Sequence, residues 1–161
     1  MTEQEIEVRI TRAVDYFKEG YNCSQSVVLA YSDHFPFDLE TLKRLSAPFG
    51  AGMGRLREVC GAATGIFMVL GMEIPASNPE DIDAKTKNYE AVQRTAGQFK
   101  QRLGSYICAD LLDITREPQS VIPDDRNAAY YAERPCALCV AVGAEILGKE
   151  LAKNTNHDRF Q

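Results

Sequence analysis

Residues 56–71, LREVCGAATGIFMVLG, decide the fold. Val59 to Met72 is the longest stretch of the chain without a charge, bounded by Glu58 and Glu73. A run of this kind is either a buried strand or a buried helix, and strands usually end within about eight residues. The length selects a helix running from about Leu56 to Gly71, although Gly61 and Gly65 lower its propensity. It is also well short of the roughly 20 apolar residues that span a bilayer, so no membrane segment is expected.

The segments on either side read the same way. Thr2 with Glu5 forms a capping box for a helix reaching Gly20, with Ile6, Ile10, Ala13, Val14 and Phe17 on one face. Asn22 caps a second helix that breaks at Pro36, and Asp38 caps a short third one ending near Pro48. Pro79 fits the first turn of a long helix whose Tyr89, Val92, Ala96, Phe99 and Leu103 step by three and four. Gly104 interrupts it, and Ser105 caps a short helix carrying Cys108. Asp124 opens another, and Pro135 starts the last. No segment alternates with a period of two, and there is no internal repeat. The expectation is an all-α, single-domain helical bundle of about six to eight helices with a glycine-rich interhelical loop, and with 154–161 as a frayed tail.

Composition narrows the function. The chain has 161 residues, 45% hydrophobic and 25% charged, as in an ordinary globular domain. A formal net charge of −5 offers nothing to a phosphate backbone, which excludes nucleic acid as the expected partner. The opening MTEQEIEVRI is acidic where a secretory signal would place lysine and an apolar run, so a cytoplasmic protein is expected. In a reducing compartment, five cysteines, an odd number, point to free thiols, metal ligands or a redox pair rather than a disulfide framework. The histidines His34 and His157 lie near a proline break and in the tail, which disfavours a histidine-based site.

The cysteines coincide with helix starts. Cys23 follows the cap Asn22, Cys108 lies three residues after Ser105, Cys136 follows Pro135, and Cys60 comes early in the segment leaving the glycine loop. Unpaired amides and the positive end of the helix dipole favour an anion there, which for cysteine means thiolate. Thiolate is both the nucleophile of disulfide exchange and a soft ligand for zinc or iron. No zinc-ribbon spacing exists, because only Cys136 and Cys139 make a close pair. The competing reading is a set of buried, inert thiols, since cysteine is among the most buried residue types. Gly50, Gly52 and Gly54 admit either an anion-binding loop or a tight interhelical turn. Neither G-x-G-x-x-G nor a P-loop is present, and the turn is preferred.

Three fragments, FKEGYNCSQ at 17–25, FGAGMGR at 49–55 and CGAATG at 60–65, together with Cys108 and Cys136, resemble the C_GCAxxG_C_C family of redox-active proteins. The resemblance implies four characteristic cysteines, Cys23, Cys60, Cys108 and Cys136, the last preceding the pattern of Val140 and Ala144. Cys139 falls outside that set. The expected site gathers these four thiols, with small residues Gly61 and Gly65 leaving room and Arg55 or Arg57 offsetting negative charge. Several thiolates together would repel, so the cluster is expected to be partly protonated, oxidised or metallated. The expected function is thiol–disulfide redox with a redox partner protein. The alternatives are a zinc or iron–sulfur centre on the same four cysteines and a purely structural helical protein.

Overall fold

The computed structural model describes residues 1–117 and 120–157. The fold is all-α, and among the described residues it has no strand. Helix α1 spans Glu3–Lys18 and α2 spans Cys23–Ala30; both open on capping boxes, Thr2 with Glu5 and Asn22 with Gln25. Helix α3, Leu39–Ser46, is capped by the Asp38 carboxylate on the Thr41 amide. A left-handed turn, α4 (Gly50–Met53), precedes α5, Gly61–Glu73. The long α6, Ile82–Leu103, leads through short α7 (Cys108–Leu112) and α8 (Ala128–Glu133) into α9, Cys136–His157.

Helix α5 is the apolar stretch 56–71 realised, and most of its residues are buried because neighbours cover it on several sides. Helices α2 and α5 pack on each other and both on α9; α1 lies along α9, and α6 closes over α5 and α9. One apolar core joins Phe17, Val27, Ile66, Phe99, Val140 and Leu147 from these five helices, and a smaller one unites Val28, Leu29 and Leu42. The Tyr31 hydroxyl, wholly buried, donates to the Ala144 carbonyl at 2.7 Å and ties the end of α2 to α9. Among the described residues no helix is long and apolar enough to cross a membrane.

Several boundaries differ from the sequence reading. Helix α5 begins at Gly61 rather than near Leu56, because the backbone before it is left-handed: Ala51, Gly52, Met53, Gly54, Arg55 and Arg57 all have φ between 54° and 69°. Helix α2 stops at Ala30 and gives way to a 3₁₀ turn at Ser32–His34, well before Pro36. The long helix starts at Ile82, where the Asp81 carboxylate accepts from the Ala84 amide, not at Pro79. Asn127 rather than Asp124 caps α8, since the Asp124 carboxylate is held by arginines. The last helix continues through 154–157 to His157, within the segment read as a frayed tail; residues 158–161 of that tail lie outside the described residues.

Left-handed backbone is costly for residues with a Cβ, about 1–2 kcal/mol each. The exposed Met53, at φ 67°, makes this measurable without losing core contacts. Glycine there relieves that strain but adds roughly 0.4–1 kcal/mol of unfolded-state entropy. Met53→Gly is therefore expected to raise stability by about 0.5–1 kcal/mol in chemical denaturation. A destabilised variant would mean that the methionine side chain holds the turn.

Candidate functional site

Four helices begin at the same place, and each begins with a cysteine. Cys23 is the first residue of α2, Cys108 of α7 and Cys136 of α9, while Cys60 is the N-cap of α5. An isolated antiparallel bridge, Val59 to Ile107, brings two of these starts together. Within it the Cys60 amide donates to the Tyr106 carbonyl at 2.8 Å and the Cys108 amide to the Glu58 carbonyl at 2.6 Å. Glycines let the remaining starts close in. A Cβ on Gly61 would lie 2.9 Å from the Cys23 Cβ, and one on Gly52 only 2.6 Å from the Cys108 Cβ. All five cysteines line one cavity of about 270 Å³.

The thiols are free and sit as contacting pairs rather than as isolated groups. Cys23 hydrogen-bonds Cys136, and Cys60 hydrogen-bonds Cys139. In the first pair Cys136 is the more acidic thiol. Its pKa falls to about 7, chiefly through the hydrogen bond from Cys23, with Arg134, Arg126 and Arg57 adding favourable charge. Donating to Cys136, and full burial, push Cys23 well up. In the second pair Cys60 is lowered by the Cys139 hydrogen bond and by the Ala62 and Ala63 amides of the first turn of α5. Cys139 is driven up by donating to Cys60. Cys108 is raised as well, because burial outweighs the Arg57 guanidinium, whose Nη1 lies 3.7 Å from its sulfur. Of the four thiols at helix starts, Cys60 and Cys136 are thus shifted down and Cys23 and Cys108 up. Burial and neighbouring sulfurs outweigh the helix ends there.

The model of the C_GCAxxG_C_C family, described as "Putative redox-active protein", matches residues 21–150, a span holding all five cysteines. The chain belongs to the C_GCAxxG_C_C family. No curated protein and no solved structure matches it. The family cysteines Cys23, Cys60, Cys108 and Cys136 all face the cavity. So does Cys139, which the resemblance leaves aside. Its signal was present in the sequence: one helical turn after Cys136 on the face carrying Val140 and Gly143, it could not point elsewhere once α9 packed against α5.

The other expected site residues separate. Gly61 lines the cavity, whereas Gly65 lies a turn deeper, where an added Cβ would stand 2.9 Å from the Val27 Cβ of α2. Arg57 is buried against Cys108. Arg55 lines the cavity but donates to the Ser120 carbonyl at 2.6 Å and to Asp124 at 2.7 Å. Arg126 and Arg134, which the sequence did not single out, also line it, brought by the approach to α8 and the turn before α9. A zinc or iron–sulfur centre needs several ligands converging on one point. Among the described residues no three His, Cys, Asp or Glu side chains are so arranged. As they stand, the side chains offer sulfur pairs instead.

Gly61 tests whether close helix approach makes the site. With the Cys23 Cβ and the Ser24 nitrogen each 2.9 Å from an added Cβ, α2 and α5 must move apart in Gly61→Ala. Overpacking of this kind costs roughly 1–3 kcal/mol, against a propensity gain of at most about 1 kcal/mol. A net loss of stability and altered alkylation of Cys23 are expected. The control Gly71→Ala, in the same helix with nothing within 4 Å, should instead gain stability.

Proposed function

We propose that the protein carries out thiol–disulfide exchange, with Cys136 as the attacking thiolate and Cys23 as the resolving thiol. The observation that carries this reading is their placement: Cys23 and Cys136 open α2 and α9 at one cavity and act on each other, and the pKa of Cys136 is lowered to about 7. An attacking thiol works best with a pKa close to the ambient pH, where thiolate is abundant yet still nucleophilic. Cys136 is also the one cysteine that is only half-buried, so a substrate reaches it first.

The chemistry balances within the pair and its substrate. The Cys136 thiolate attacks one sulfur of a substrate disulfide, forms a mixed disulfide and expels one substrate thiolate. Cys23 then attacks the Cys136 sulfur and forms the Cys23–Cys136 disulfide. The second substrate thiolate leaves and takes the Cys23 proton. Two electrons have passed from the protein to the substrate, and a dithiol redox partner protein returns them in a second exchange. Cys60 with Cys139 forms a second pair behind the first, both well buried. Five free thiols fit a reducing, cytoplasmic compartment.

Anaerobically purified protein, mildly oxidised, is expected to lose thiols reversibly, and peptide mapping should recover a Cys23–Cys136 disulfide. Cys23→Ser should trap a mixed disulfide at Cys136, while Cys136→Ser should abolish exchange. Bound zinc or iron in stoichiometric amount, or five thiols inert in the native fold, would overturn the proposal.

A further inference from the structure

The cavity over the thiols carries more positive charge than its own carboxylates balance. Arg55, Arg57, Arg126 and Arg134 line it, and Asp124 is the one carboxylate among its described lining residues. That carboxylate is shared, 2.7 Å from Arg55, 3.0 Å from Arg134 and 3.7 Å from Arg57. Arg126 is a different case. Its guanidinium donates to the carbonyls of Phe17 at 3.2 Å and Tyr21 at 3.1 Å, and it faces the rings of Phe17 and Tyr130 at 4.5 and 4.7 Å. Among the described residues no carboxylate pairs with it. These contacts fix the guanidinium at the cavity wall without neutralising it, in a chain whose net charge is −5. Even with Cys60 and Cys136 ionised, four guanidinium groups exceed the negative charges among the lining residues described.

A guanidinium held rigidly and without a carboxylate partner suits an anionic group, which the N–H groups not spent on Phe17, Tyr21 and Tyr131 can bind. The volume, about 270 Å³, sits at the small end of ligand pockets and suits a small molecule. We infer that the cavity takes a small disulfide bearing carboxylate groups, with an anionic end on Arg126 and a sulfur presented to Cys136. This deepens the exchange reading and rests on it. The substrate's two sulfurs each accept one electron and leave as thiolates, one of them carrying off the Cys23 proton, while the Cys23–Cys136 disulfide forms. Arg126 and Arg134 help the leaving thiolates, since both act on the Cys136 sulfur at the reaction centre.

Three small disulfides separate charge from reactivity: anionic dithiodiglycolate, neutral hydroxyethyl disulfide and cationic cystamine. Each second-order rate is divided by that of the same disulfide with free cysteine. The reduced protein is expected to favour dithiodiglycolate over the neutral compound by about tenfold and over cystamine by more, with the preference shrinking as salt rises. In Arg126→Gln that ratio should fall towards unity. Binding is read separately in Cys136→Ser, which cannot exchange: dithiodiglycolate should bind at least about tenfold more tightly than hydroxyethyl disulfide at low salt. Should Arg126→Gln fail to fold, the salt dependence of that binding in Cys136→Ser decides alone. Equal binding of the anionic and neutral probes, or binding indifferent to salt, would overturn the inference. If Cys136→Ser binds the anion while the unaltered protein exchanges with no probe, the anion site stands and the exchange reading fails.

Discussion

The hydrogen bond between Cys23 and Cys136 requires two helices, far apart in sequence, to start at the same point in space. Helix α2 reaches that point because Gly61 lets it pack against α5 with almost no gap, and α9 because Gly143 faces the Ala62 Cβ, which an added Cβ would meet at 3.2 Å. Small residues at helix crossings usually serve packing alone. Here they also determine chemistry, because the amino ends they bring together carry unpaired amides and sulfur. A second negative charge beside the first is unfavourable at low dielectric, so the cluster shares protons instead. In each pair one sulfur is shifted towards ionisation and the other away from it.

The left-handed run from Ala51 to Arg57 is the strained part of this arrangement. Ala51, Met53, Arg55 and Arg57 carry a Cβ at positive φ, each at a cost that an ordinary right-handed turn would avoid. Strain of that size persists where surrounding structure enforces it, often at functional sites. What enforces it is visible: the Gly54 amide closes onto the Gly50 carbonyl at 2.9 Å, and the Glu58 amide onto the Gly52 carbonyl at 3.0 Å. The run delivers Arg57 to Cys108 and passes directly into the bridge that sets Cys60 beside it. The opening glycines thus form a turn that places an arginine and two thiols at the cavity.

Much of this was legible in the chain. The capping boxes at Thr2 and Asn22, the Asp38 cap and the long uncharged run at 59–72 all appear as local patterns, and local patterns are what helices depend on. The coincidence of cysteines with helix starts was equally local. What could not be read was which sulfur faces which. Cys139 looks like half of a pair with Cys136, yet its hydrogen bond goes to Cys60, 79 residues away at the start of α5, because crossing geometry decides the partner. Arg126 and Arg134 likewise sit outside any motif and reach the cavity only through the fold. The left-handed turn escaped for a different reason: Ala51, Met53, Arg55 and Arg57 have no propensity for it, and hydrogen bonds that close across the turn's own backbone hold it.

The account stands on unequal sharing of one proton between Cys23 and Cys136. Carbon-13 labelling of the cysteine Cβ atoms, followed by NMR across a pH titration of the reduced protein, reports each thiol separately. Cys136 is predicted to ionise near 7, with Cys23 remaining protonated well above the ordinary thiol range. If both instead titrate together at the ordinary value near 8.5, the helix starts do not hold a thiolate and the account is wrong.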